Sequence, residues 1–224
     1  MRFNPFALTA ALAGVPGVRV VVVRVVNAQG VSERRPQDEI EKAIVRRSRW
    51  GSVDVWLLCE IAWADLEHIA ARRGLYALQY GDRGSPDAGV GILSRKPITK
   101  ARKLRGTVAT REGRGVRDRP LVSGRTFGVR FTAGHAPPAS SPVARGLFIA
   151  RARLARGVVG CDWNRGKAWM RASSRRLYRG VGVLGVLVPR RLSPSRASSR
   201  YVGSDHLTCD VRLLVPVRRR RAIR

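Results

Sequence analysis

The stretch "VRVVVVRVV", Val18 to Val26, constrains the fold of this chain more than any other. Its β-branched side chains are almost continuous, the pattern of a strand covered on both faces rather than half exposed to water. The strand ends at "NAQG". The next segment, "SERRPQDEIEKAIVRR", reads as a helix, with Pro36 near the first turn, acids early, and Ile40, Ala43, Ile44 and Arg47 at helical spacing.

The same alternation continues downstream. "VDVWLLCE" predicts a buried strand ending in Glu60, and "AWADLEHIAARRG" a helix with Trp63, Leu66 and Ala70 on one face and Gly74 as its stop. "AGVGILSR" is a further strand, and "RPLVSGRTFGVRFTAGH" a hairpin turned near Ser123 and Gly124 that ends at His135. In "SSPVARGLFIARARLARG", Ser141 can cap a helix that starts at Pro142 and carries Val143, Leu147, Ala150 and Leu154 as its apolar stripe. "GVVGCDWN" and "VGVLGVLVP" are strands. In "LTCDVRLLVPV", Leu207, Cys209, Val211, Leu213 and Val215 alternate with more polar neighbours, as in a half-buried strand. "YGDRGSPD", "TREGRGVRDRP" and "SPSRASSRYVG" read as loops able to grip a backbone.

No internal repeat is visible, and strands interleaved with helices predict a layered α/β protein with mixed sheets. A length of 224 residues suits one such domain, taken as 18–217 between an N-terminal extension, 1–17, and a basic tail, 218–224. The opening "MRFNPFALTAALAGVPG" has only a short apolar part, interrupted at its start by Asn4 and Pro5, and reads as an extension, with an export signal as the rival. No apolar run reaches the roughly 18 residues that span a bilayer.

Charge narrows the partner. Lys plus Arg number 44 against 15 acids, a formal net charge of +29. GC-rich coding accounts for Arg over Lys but not for so few acids, which favours nucleic acid or another polyphosphate over a neutral small molecule. No basic amphipathic helix with a clean apolar face stands out, so stable membrane association is not expected. Cys59, Cys161 and Cys209 are widely spaced within apolar runs, which supports neither a disulfide framework nor structural zinc and fits a reducing, intracellular (cytoplasmic) setting.

Against this background the acids are informative. Asp38, Glu39, Glu41, Asp65 and Glu67 fall on predicted helices and are expected to face water. Glu60, Asp162 and Asp205 instead sit at or beside the ends of apolar strands, as do Asn27 and His135, and sheets of this kind place their sites at strand ends. An acid after "VDVWLLC" is costly to bury unless a cation meets it, and a hard ion such as Mg²⁺ takes one or two carboxylates, with water and phosphate completing its shell. In "GCDWN", Asp162 and Asn164 are two apart and share a side if the strand continues; a carboxylate to orient water and an amide to hold a phosphate oxygen suit phosphoryl transfer.

The order of these pieces (Asn27 after the first strand, Glu60 after the second, His135 in "GHAPP", then "GCDWN", then "GSDH" before the last strand) resembles the endonuclease/exonuclease/phosphatase superfamily, which includes deoxyribonuclease I and exonuclease III. The match runs from about Val18 to Val217. The resemblance implies a four-layer α/β/β/α sandwich, a site for Mg²⁺ (or Mn²⁺) at Asn27, Glu60 and Asp205, and catalytic roles for His135, Asp162, Asn164 and His206. Asp162 would orient or deprotonate the attacking water, Asn164 contact phosphate, His206 contact the scissile phosphate and His135 assist the leaving group. The family's bracing Asp for the final histidine has Leu184 or a neighbouring glycine in its place, and Asp82, Asp87 and Asp118 are the candidates to orient one of the histidines instead.

The resulting expectation is a metal-dependent phosphodiesterase that hydrolyses nucleic acid, DNA before RNA, since many backbone phosphates use a basic surface as no small substrate does. A phosphatase or lipid phosphodiesterase of the same superfamily, or a nucleic-acid-binding module with impaired catalysis, are the alternatives. Aromatic residues make up 6% of the chain, so base-stacking platforms are not obvious; Trp163 and Tyr201 are candidates, with core packing the expected use of Trp163.

Overall fold

The computed structural model describes residues 17–28, 41–42, 44–49, 51–81, 89–104, 110–112, 115–117, 119, 121–138, 140–164, 177–181, 183–192, 194–195, 197–198 and 208–217. Along the chain come β1 (Val18–Asn27), β2 (Val55–Cys59), α1 (Trp63–Arg73), β3 (Tyr76–Tyr80), β4 (Val90–Ser94) and β5 (Thr99–Leu104). They are followed by β6 (Thr110–Glu112), β7 (Gly115–Arg117), β8 (Leu121–Thr126), β9 (Val129–His135) and α2 (Pro142–Leu154). The last part carries β10 (Val158–Asp162), β11 (Leu177–Val181), β12 (Leu184–Val188) and β13 (Cys209–Pro216). Residues 41, 42, 44 and 45 are helical, within the span expected between β1 and β2.

The strands form one sheet in the order β13-β1-β2-β4-β3 and another in the order β11-β12-β10-β9-β8-β5, with β6 and β7 as a separate ribbon. The centre of each sheet is a parallel pair, β1 with β2 and β9 with β10, joined through helical residues and flanked by antiparallel strands. The two halves thus repeat a β-α-β plan that the sequence does not display. A parallel crossover brings the C-terminal ends of its two strands to the same edge of the sheet.

The continuous valines of β1 serve both of its faces, as expected. Val21, Val23 and Val25 pack between the sheets with Leu57, Ile92, Phe131, Val186 and Leu213. Val22 and Val26 pack outward with Ile44, Trp56, Leu66 and Ile69, which brings α1 onto the first sheet. Phe148, Ile149 and Ala152 of α2 cover Leu121, Val159 and Leu187 on the second. The layers are therefore α/β/β/α, the sandwich the resemblance implied. The two sheets approach closely at Gly160, where a Cβ would lie 2.4 Å from Leu57 and 2.8 Å from Val25.

Several local expectations shift. The buried face of α2 is Ala144, Arg145, Phe148, Ile149 and Ala152, while Val143, Leu147, Ala150 and Leu154 are exposed. Both stripes are apolar at helical spacing, and the one that buries Phe148 between two alanines removes the larger ring from water while letting the helix come close. Ser141 holds the N-cap position without a side-chain capping bond. The β8–β9 turn lies at Phe127 and Gly128, both with positive φ (51° and 76°), the backbone of a tight primed turn, whereas Ser123 and Gly124 are inside β8. "TREGRGVRDRP" contains the β6–β7 ribbon, and "VGVLGVLVP" contributes to two paired strands, β11 and β12. Gly74 ends α1 in the left-handed region, as expected.

The helical acids do not all face water. Glu41 is buried against His68, Arg72 and Arg73, and Asp65 is buried as well; Glu67 is exposed and accepts from the Trp63 indole. Inside β1, Arg24 is fully buried and forks onto Asp210 of β13 through Nε and Nη2, both at 2.7 Å. Its Nη1 donates to the carbonyls of Ile44 and Arg46. Cys59, Cys161 and Cys209 are free and buried.

Candidate functional site

The C-terminal ends of the four parallel strands meet at one edge of the sandwich. β1 ends in Asn27, β2 leads into Glu60, β9 ends in His135 and β10 in Asp162. Register makes Asp162 the direct neighbour of His135, and the Ala136 N–H donates to the Asp162 carbonyl at 2.8 Å. Five of the residues singled out from sequence are thus brought together: Asn27, Glu60, His135, Asp162 and Asn164.

Asp162 is fully buried, and both of its carboxylate oxygens accept hydrogen bonds. Asn27 Nδ2 reaches Oδ2 at 3.0 Å from across the two sheets, and the Asn164 backbone N–H reaches Oδ1 at 2.9 Å. The second bond exists because β10 stops at Asp162 and the chain turns: Asn164 has φ 48°, a left-handed conformation that Asn tolerates well. Asn164 therefore reaches the site through a turn rather than through a continued strand. Arg145 of α2, itself buried, holds this turn by donating to the Asn164 carbonyl at 3.1 Å.

His135 and Glu60 form the other half. Glu60 has φ 54°, sparsely populated for a residue with a Cβ, and this turns its side chain back toward β9. Its Oε1 lies 3.2 Å from His135 Nδ1 and 3.8 Å from Arg119 Nη1. Arg119 is the cation that meets the buried acid, and its Nη1 also lies 2.5 Å from His135 Nδ1. On the far side of the ring, Asn164 Nδ2 is 3.3 Å from Nε2 and donates to the Ala136 carbonyl at 2.6 Å. That carbonyl fixes which end of the amide faces the ring, so Nε2 accepts from Asn164 when the ring proton is on Nδ1, facing Glu60. The alternative tautomer accepts from Arg119 at Nδ1 but sets its Nε2–H against the Asn164 amide N–H. The ring is held between a carboxylate and a guanidinium, an arrangement suited to gaining and losing a proton.

Two thiols border the site and take no part in such chemistry. Burial, with Asp162 and Glu60 adding to it, pushes the Cys59 thiol well up; burial and Asp162 do the same to Cys161.

Glu60 and Asn27 offer oxygen donors of the kind a hard divalent ion takes, and one or two carboxylates suffice for Mg²⁺. Among the described residues no three of His, Cys, Asp and Glu gather as a metal cluster. Asp205 and His206 lie outside the described residues, as do Tyr201 and the possible braces Asp82, Asp87 and Asp118. Leu184 is buried directly opposite Asp162 in the β10–β12 register, so that position holds no carboxylate. Trp163 is core, its indole donating to the Gly185 carbonyl at 3.0 Å. Arg119 and Arg145 carried no sequence signal, being two cations among 44.

No family model matches the sequence, and no curated protein does. Solved structures do match in fold. Zebrafish (D. rerio) TDP2 complexed with a single-strand DNA product superposes with a TM-score of 0.63 at 11% identity, over 87% of this chain and 98% of that one. An endonuclease/exonuclease/phosphatase family protein from Leptotrichia buccalis gives 0.62 at 12% identity, over 86% and 99%. The 3'-5' exonuclease NExo from Neisseria meningitidis gives 0.57 at 12% identity, over 85% and 98%. The chain has the fold of the endonuclease/exonuclease/phosphatase proteins.

Proposed function

We propose that this chain is a metal-dependent phosphodiesterase that hydrolyses nucleic acid, DNA in the first instance. The observation that carries the reading is the buried network Asn27–Asp162–Asn164–His135–Glu60 at the meeting point of the four parallel strands. Fold neighbours that are a 3'-5' exonuclease and a protein crystallised with a single-strand DNA product support it, as does the +29 charge.

Asp162, oriented by Asn27 and the Asn164 N–H, takes the proton of the attacking water. His135 gives a proton to the leaving oxygen, with the Glu60 carboxylate steadying the imidazolium and Arg119 countering the charge of Glu60. The Asn164 amide positions the His135 ring against the Ala136 carbonyl, and His206 is assigned to the scissile phosphate. Mg²⁺ or Mn²⁺, held by Glu60 with Asn27 and Asp205, would neutralise charge that builds on the phosphate.

Purified protein is incubated with plasmid DNA, single-stranded DNA and RNA, with Mg²⁺ and with chelator. Cleavage is expected with the metal only, and Asp162→Asn, His135→Ala and His206→Ala should each lower it by about 10²–10⁴-fold while binding persists. Near-normal turnover in the Asp162 variant would sink the site assignment. Leu184 opposite Asp162 favours a second reading, a binding module without turnover, which DNA binding with no cleavage by the wild type would select.

A further inference from the structure

The N-terminal ends of β1, β9 and β10 lie toward the opposite pole, about 26 Å from the site at roughly 3.3 Å per residue from Arg19 to Asn27. A cavity of about 760 Å³ opens there, with Arg19, Arg125, Arg130, Arg156 and Arg191 among its walls and Phe127 beside them. A second cavity of about 480 Å³ shares Arg130 and Arg156 with it and adds Arg102, so the two form one track. Among the described residues no carboxylate lines either cavity.

Among the described residues, Arg19 is the member of this group that acts on a carboxylate, Asp54. Arg125 donates to the Gly128 carbonyl, and Arg130 makes long contacts of 3.5 Å to the Lys100 carbonyl and the Ser123 hydroxyl, so both keep neutral partners. Arg19 lies over the Phe127 ring at 5.9 Å and contributes to the field at Asp54. Arg102, Arg156 and Arg191 are exposed. Like charges crowded around a concave surface repel one another, and a polyanion relieves that repulsion. The occupant is more than a single phosphate, because the charge continues from one cavity into the next. The apolar floor of Phe127, Val129, Leu192 and Val215 adds a surface for a base, which inorganic polyphosphate does not possess.

We propose that this pole is a second nucleic-acid contact, which seats a single-stranded segment with its phosphates on the arginine track and a base against Phe127. It stands apart from the hydrolytic reading, since binding here needs no turnover.

The test is the affinity of the full chain for a labelled DNA strand of about 16 nucleotides, in chelator so that nothing is cut, between about 50 and 200 mM salt. Arg125→Ala, Arg156→Ala and Arg191→Ala combined should weaken binding at least about tenfold. The salt slope should fall by about 2, since each backbone phosphate neutralised on a single strand accounts for about 0.7. Lys42→Ala, Arg46→Ala and Arg47→Ala combined remove as many charges elsewhere and should have a clearly smaller effect. Equal losses in the two triples would overturn the proposal, because binding would then follow net charge alone. So would ATP binding that the first triple abolishes while leaving the DNA strand unaffected, which would make this a nucleotide pocket. A second readout needs no variant: ultraviolet cross-linking of the wild type to a strand carrying 5-iodouracil should label the peptide that contains Phe127. Labelling that falls only on other peptides would overturn the assignment as well.

Discussion

At the scale of single residues, the site rests on how Asp162 is held. A fully buried polar group is costly unless hydrogen bonds offset its lost hydration, and Asn27 supplies one of them from the other sheet. Asn27→Ala is expected to destabilise the protein by about 1.5–3 kcal/mol in urea unfolding and to lower turnover with little change in DNA affinity. These residues were legible because a polar side chain at the end of an apolar strand is conspicuous. Arg119 and Arg145 were not, since an arginine that serves one carboxylate or one carbonyl looks like every other arginine in so basic a chain. Glu41 and Asp65 misled for the complementary reason: position on a helix does not reveal that a neighbouring element will cover it.

Among the elements, β1 carries the most. Its valines made it legible, yet the same run hid Arg24, whose fork onto Asp210 ties β1 to β13 and whose Nη1 ties it to the carbonyls of Ile44 and Arg46. Removing one partner of a buried pair leaves an uncompensated charge, so Asp210→Ala is expected to cost about 3–5 kcal/mol in urea unfolding. The double change Arg24→Met with Asp210→Leu should recover most of that loss, since an apolar pair of similar volume needs no compensation. If the double variant were no more stable than Asp210→Ala, the carbonyl contacts of Arg24 would be the larger part of its contribution. The α2 stripe failed for a related reason: periodicity gives a helix two candidate apolar faces, and only the partner sheet decides between them. Closeness of the sheets was equally hidden, although Gly160→Val should expose it. The new methyls would meet Leu57 and Val25, with an expected cost of about 1–3 kcal/mol that urea unfolding would register.

For the molecule as a whole, the parallel strands organise charge as well as chemistry. Their C-terminal ends gather the acids, amides and imidazole, and the N-terminal ends of β1, β9 and β10 border arginines with no carboxylate among the described residues that line the cavities there. Composition made the positive field legible but not its placement, because the pole is assembled from β1, the β8–β9 turn, the residues before β10, the turn after β12 and the end of β13, which are remote in sequence. A substrate that engages both poles gains from being tethered twice, whereas one too short to leave the site gains nothing. DNA strands of about 16 nucleotides should therefore be cut with a higher kcat/KM than strands of about 4, and the advantage should lie in KM. It should fade between about 50 and 200 mM salt, as backbone contacts do. Loss of Arg125, Arg156 and Arg191 should remove the advantage and leave the short strand cut as before, because none of the three approaches the reacting phosphate. Equal kcat/KM for long and short strands at low salt would mean that the arginine pole does not assist catalysis, whatever it binds.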